Sequence, residues 1–210
     1  MNFITPEIAR IHAHICGDGY VYMSKEKRSP GTLIKHPREK LSRNIEILVY
    51  TNDCDELISE FANDMIVAFD RKATIVGDKH KEARVRNAKR IINLLNFYNK
   101  DSYSWSIPNM ILNSDEEIIA NWLRAFFDDE GWVDRSGKIG VCSVNKKGLL
   151  QVAGLLKKLQ IEHGFYSHHT NNGHTINIRK RSAVRFLELV SFTHPKKKER
   201  LKKFYGAAGI

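Results

Sequence analysis

The stretch Ile11-His12-Ala13-His14-Ile15-Cys16-Gly17-Asp18-Gly19 occurs a second time in the chain, as Leu123-Arg124-Ala125-Phe126-Phe127-Asp128-Asp129-Glu130-Gly131. Asp18 and Glu130 stand 112 positions apart (130 − 18), and at that offset Ile8 falls on Ala120, Ile11 on Leu123, Ala13 on Ala125 and Ile15 on Phe127. Each copy reads as an apolar helix closed by a carboxylate and a glycine. Glycine after the last turn is an ordinary helix stop. An acid in that last turn is unfavourable, because the helix C-terminus already carries partial negative charge. Taken singly, Asp-Gly and Glu-Gly are turn residues. Repeated in register, they point to a use other than stability. Two carboxylates at paired helix ends would hold hard divalent cations, which prefer oxygen ligands.

Small residues form a stripe along each helix. Ala9, Ala13 and Gly17 lie at i, i+4 and i+8, on one face, and the matching stripe is Asn121, Ala125 and Asp129. Such a stripe lets a second helix approach closely. If the two stripes meet, Asp18 and Glu130 come side by side at the base of the contact.

The two segments resemble the paired motifs of the LAGLIDADG homing endonucleases in their single-chain form. The last acid of the motif falls on Asp18 and Glu130 and its final glycine on Gly19 and Gly131, with Ala13 and Ala125 in place of an earlier glycine. Asp129 departs from the pattern, which has a small residue there. It would either loosen the helix contact or add a third carboxylate near the metals. The resemblance covers nearly the whole chain and implies hydrolysis of double-stranded DNA at a long asymmetric site. It also implies backbone carbonyls at Gly17 and Asp129 as further metal ligands, and basic or polar residues around the scissile phosphates. The positions for these are Arg86 and Arg179, with Lys180 as a substitute for the latter, then Asn52 and Asn145. An all-oxygen site shared with phosphate points to Mg²⁺, two or three ions at the helix-end carboxylates.

Composition agrees with a polyanionic partner. Of 210 residues, 34 are Lys or Arg and 24 Asp or Glu, a net charge of +10, as expected of a nucleic-acid binder. Three scattered cysteines, Cys16, Cys54 and Cys142, form no C-x-x-C pair. They argue against a disulfide framework or a zinc site, and fit a reducing, cytoplasmic setting. No apolar run approaches the ~20 residues of a membrane span, and no membrane partner is expected.

The expected fold is α+β. Two pseudo-symmetric αββαββα halves, residues 1–98 and 115–210, flank a linker at 99–114. Each half would be an antiparallel sheet with helices on one face, its other face free and polar, the motif helices joining the two into a saddle. DNA contacts are expected from those free faces, since a major groove admits a two-stranded ribbon. In the first half they are Tyr22, Lys25 and Lys27 on a strand, then Arg28, Lys35, Arg38, Lys40 and Arg43 in a basic hairpin loop. Tyr50 on the next strand and Lys79, Lys81 and Arg84 on a hairpin complete that set. In the second half they are Arg135, Lys138, His168, Asn171, Asn177 and Lys180. Lys196-Lys197-Lys198 reads as a solvated helix face. A monomeric, intron-encoded endonuclease is the reading. The alternatives are a splicing maturase that binds intron RNA and a DNA-binding regulator that has lost cleavage.

Overall fold

A computed structural model describes residues 4–27, 42–97, 101–168 and 172–206; for Glu26, Lys27 and Arg43 it describes the backbone alone. Helix α1 (Pro6–Cys16) starts where Thr5 accepts from the Ile8 amide at 3.4 Å and Pro6 presets the first turn. Strands β1 (Gly19–Lys27) and β2 (Ser42–Asn52) follow, then α2 (Asp55–Phe69), β3 (Thr74–Val76), β4 (Lys81–Arg86) and α3 (Lys89–Leu95). The second half repeats that order. After a short α4 (Asn109–Leu112) come α5 (Glu116–Glu130), β5 (Gly131–Val133), β6 (Ile139–Ser143), α6 (Lys146–Lys158), β7 (His163–Ser167) and β8 (His174–Ile178). A 3-10 turn (Lys180–Ser182), α7 (Ala183–Leu189) and α8 (Pro195–Tyr205) end the described chain. Among the described residues, no helix is long and apolar enough to cross a membrane.

The two sheets are antiparallel, four-stranded and ordered alike, β1-β2-β4-β3 and β5-β6-β8-β7. Their registers define which residues are equivalent. Gly19 pairs with Tyr50 and Tyr50 with Ala83, while Gly131 pairs with Val141 and Val141 with Ile176. Two residues further along β2 and β6, Asn52 therefore corresponds to Ser143. Three further along β4 and β8, Arg86 corresponds to Arg179.

One apolar cluster runs through both halves, built from Ile11 and Ile15 of α1, Leu57, Phe61 and Met65 of α2, Trp122, Leu123, Phe126 and Phe127 of α5, and Leu149 and Leu155 of α6. Burying each such side chain contributes roughly 1.5–3 kcal/mol. The expected linker is part of this core, with Trp105, Ile107 and Ile111 all buried. Ile66 and Leu150 are 44% and 49% exposed, because each sits a sequence step off the buried stripe of its helix. The outer face of the first sheet is not wholly polar either. Ile45, Ile47 and Val49 form a separate buried cluster there with Tyr22 packed on it, while Leu48 and Tyr50 point to the helices.

Candidate functional site

The two small stripes do meet. A Cβ built on Gly17 would lie 2.6 Å from the Asp129 Cβ, so α1 and α5 touch at their C-terminal ends. Higher up, Trp122 Nε1 donates to His12 Nδ1 at 3.1 Å, and Arg10 donates to Asn121 at 2.7 Å and to both oxygens of Asp64 at 2.6 and 2.7 Å. His12 and His14 face apart, as i and i+2 on a helix must, and His12 stacks on Phe97.

The helix ends open into two clefts. One, of about 400 Å³, is lined by Asp18, Thr51, Asn52, Asp53, His80, Asp128, Asp129, His194 and Lys197. The other, of about 550 Å³, takes Glu130 with Cys16, Gly17, Trp105, Trp132, Ser143 and His174 among its walls. Each cleft thus combines the last acid of one motif with the residue before the last acid of the other. Among the described residues, no group of three or more His, Cys, Asp or Glu side chains is gathered to hold a metal ion.

Asp18 is solvent-exposed at the cleft mouth. Desolvation by the surrounding protein, and then the charge of Asp129, push its pKa up to about 6, against the pull of Lys197, His14 and Asn52. Asn52 Nδ2 donates to Asp18 Oδ2 at 3.1 Å, and Thr51 Oγ1 donates to the Asp18 carbonyl at 2.8 Å. Asp129 faces inward with its side chain fully buried. Its Oδ2 lies 3.0 Å from His14 Nδ1 and its Oδ1 accepts from Tyr50 at 2.7 Å. Burial opposes charge on His14, but Asp129 and Glu60 outweigh it and raise the pKa to about 10. The imidazole is therefore held as a cation between two acids. Asp129 is no spare third carboxylate: both of its oxygens are engaged.

Asp128 shapes the first cleft differently. Its two oxygens accept the Thr193 and His194 amides at 2.9 Å each, anchoring the start of α8 to the end of α5. Burial raises its pKa to about 6, with those same two bonds pulling the other way. Lys197, two residues into α8, then reaches the carbonyls of Asp128 and Phe127. Burial lowers its pKa, and the opposing pull of Asp128, Asp129, Asp18 and Glu130 only partly offsets this. Lys197 is a site residue that the sequence reading placed in solvent. The available signal was its spacing, four residues before Leu201, which is buried in α8.

Several expected site residues lie elsewhere. Arg86 pairs with Ile47 and Arg179 lies one residue past β8. Both stand at the strand ends remote from the acids, Arg86 about 17 Å along the sheet from Asn52 at ~3.3 Å per residue, too far to meet Asp18. Asn145 is buried, caps α6 through Gly148 at 2.9 Å and donates to the Trp105 carbonyl, so its amide is spent on structure. The register makes Ser143, not Asn145, the counterpart of Asn52. Tyr50 is buried beneath the sheet against Asp129 and Phe61, which removes it from the DNA face.

Of the other expected DNA contacts, Lys25, Lys79, Arg135, Lys138, His168 and Lys180 are exposed and Asn177 is half-buried. Tyr22 is half-buried on the Ile45 cluster. Arg84 is paired with Glu82, and Lys81 with Asp55. Arg28, Lys35, Arg38, Lys40 and Asn171, with the basic loop at 28–41, lie outside the described residues. Lys27 and Arg43 are placed by their strands alone.

Comparison with known proteins follows the same lines. Residues 117–191 match the family of the LAGLIDADG-like domain. A structure of mesophilic variants of the homing endonuclease I-DmoI is similar at a TM-score of 0.63 and 22% identity, covering 88% of this chain and 94% of that one. The I-DmoI complex with DNA and calcium gives 0.64 at 19% identity over 94% and 97% of the two chains. I-SmaMI bound to an uncleaved DNA target with calcium ions gives 0.57 at 11% identity over 95% and 89%. A search of curated protein sequences found no match to the chain.

Proposed function

From a chain whose residues 117–191 match a LAGLIDADG-like domain and whose two halves share the fold of the LAGLIDADG homing endonucleases, we propose a monomeric endonuclease that hydrolyses both strands of DNA at a long asymmetric site. One observation carries the reading. The paired helix ends set Asp18 of the first motif and Glu130 of the second on neighbouring clefts, and Lys197, which lines the Asp18 cleft, reaches the Phe127 and Asp128 carbonyls just before Glu130. A carboxylate on each of two neighbouring clefts, with a lysine beside them, is what phosphodiester hydrolysis needs.

The residues fit a divalent cation. Asp18 offers hard oxygens, and its pKa is raised first by burial and then by the negative charge of Asp129, which a cation would offset. Asp18 and Glu130 would hold the ions, with the Gly17 and Asp129 carbonyls as further oxygen donors, and Mg²⁺ suits such a set beside phosphate. Bound there, the ion neutralises phosphate charge and makes water a better nucleophile.

The chain's own groups do the rest. Lys197 supplies positive charge where the phosphate gains negative charge as water adds to phosphorus and the sugar oxygen leaves. Asn52 and Thr51 fix Asp18 from β2. The exposed bases, Lys25, Lys79, Arg135, Lys138 and Lys180, set affinity through phosphates, and the sheet faces set specificity. Arg86 and Arg179, remote from the acids, belong with these phosphate contacts.

The test is cleavage of the chain's own insertion site, without the insertion, in Mg²⁺. Asp18→Asn and Glu130→Gln should each abolish double-strand cutting and leave binding intact or tighter. Cleavage by the doubly neutralised protein would overturn the assignment.

A further inference from the structure

We propose that Asp129 is a positioning residue for the Asp18 cleft alone, so that the two DNA strands are cut by unequally built sites. The proposal rests on the nuclease reading above and deepens it.

The side chain of Asp129 has no exposed surface. Its carboxylate is linked to Asp18 through Asn52, whose Nδ2 lies 3.4 Å from Asp129 Oδ1 and 3.1 Å from Asp18 Oδ2. One amide thus ties the last acid of the first motif to the penultimate acid of the second. Asp129 is in turn held by His14 at 3.0 Å and Tyr50 at 2.7 Å. His14, Asp129, Asn52 and Asp18 form a continuous line from buried imidazole to exposed carboxylate, with Tyr50 bonded to it from the side.

Among the described residues, the counterpart positions of the other cleft do not repeat this line. At the offset that relates the motifs, Gly17 stands for Asp129 and Phe126 for His14. By strand register, Val141 stands for Tyr50 and Ser143 for Asn52. Three of these four side chains carry no polar atom. The fourth, Ser143, accepts from the Asn145 amide at 3.1 Å, the same turn-closing bond that Asn52 Oδ1 makes with Cys54 at 3.0 Å. Ser143 keeps the turn and lacks the arm.

That difference supplies the test. Asn52→Ser installs the residue of the second half, retains the turn and removes the reach to Asp18 and Asp129. Asp129→Asn keeps the shape and an acceptor for Tyr50 but weakens the hold of His14. Each strand of a duplex carrying the insertion site is labelled separately, and nicking is followed in Mg²⁺. Both variants should slow the same strand about 10- to 100-fold, the scale on which small misplacements act. The other strand should stay within about threefold, so that a nicked duplex accumulates. Asn52→Ser should keep the wild-type melting temperature and DNA affinity in Ca²⁺, which separates positioning from stability. A role confined to pairing the helices would slow both strands equally, and that result, or no slowing by either variant, overturns the inference while leaving the nuclease intact. A wild-type protein that cuts neither strand overturns the nuclease reading and this inference with it. Should Asp129→Asn fail to fold, Asn52→Ser alone decides.

Discussion

Gly17→Ala puts the helix contact itself to the test. The added Cβ would lie 2.6 Å from the Asp129 Cβ and 2.8 Å from its Oδ2. Comfortable carbon contacts are about 3.5–4.0 Å, so the overlap is about an ångström. Rotating the Asp129 side chain moves Oδ2 but leaves Cβ where the backbone holds it. The helices must therefore part, and the bonds of Asp129 to His14 and Tyr50 stretch with them. Overpacking of this kind costs about 1–3 kcal/mol, and weakening a charge-assisted hydrogen bond adds a further ~1–2 kcal/mol. Gly17 lies past the end of α1 with φ −79°, so alanine gains neither helix propensity nor relief from strain. A loss of about 3 kcal/mol in a chain of this size lowers Tm by roughly 6–12 °C. The control is Gly154→Ala in α6, where the added Cβ meets nothing within 4 Å. There alanine should raise stability by about 0.5–1 kcal/mol. Thermal melts of the two variants without DNA, at one pH and ionic strength, compare them directly. A Gly17→Ala protein melting within 2 °C of wild type would mean, at ~2–4 °C per kcal/mol, that the helices do not touch as described.

Two further expectations concern charge. Lys197→Met should reduce cleavage in Mg²⁺ about 10²- to 10³-fold, the range for removing one preorganised electrostatic group, with gel-shift affinity in Ca²⁺ almost unchanged; cleavage within threefold of wild type would remove Lys197 from the site. His14, raised from 6.5 to about 10, binds its proton more tightly folded than unfolded. Its stabilisation is complete below pH 6.5 and is lost as pH rises from there through about 10, at a slope near 1.4 kcal/mol per pH unit. Urea unfolding between pH 7 and 9 should show that decline in wild type and a flatter profile in His14→Gln. Parallel profiles for the two proteins would refute the imidazolium.

The sequence made the architecture plain because duplication is a long-range signal. Two copies of one helix end, at a constant offset over several apolar positions, leave little freedom in how the halves relate. The interior of the site was less legible, for reasons that differ by residue. Tyr50 failed because a strand buried on both faces does not reveal which parity points to the helices: Ile45, Ile47 and Val49 are as apolar as Leu48 and Tyr50. Asn145 failed because a helix cap and a catalytic amide look alike until the register shows that Asn52 and Ser143 are partners. Arg86 and Arg179 were paired correctly with each other, but counting along the strands did not say at which end the acids lie. Lys197 was hidden in a basic run whose other lysines do face solvent, and only the anchoring of α8 by Asp128 turns it inward.

Asp129 draws these threads together, because stability does not explain it. A buried ion pair contributes little over apolar groups of similar volume, although breaking it by removing one partner costs about 3–5 kcal/mol. The counterpart positions show an apolar solution within the same molecule: Phe126 and Gly17 occupy the places of His14 and Asp129, and Phe126 is fully buried. The chain therefore carries charged residues at one pair of positions and uncharged residues at the pair related to it by the motif offset. The charged version is the one whose acid touches the amide that holds Asp18. Had the charges served only to hold the helices together, either copy would have done equally well. Their attachment to one cleft, through a side chain that the other half lacks, is what makes the contact a matter of function.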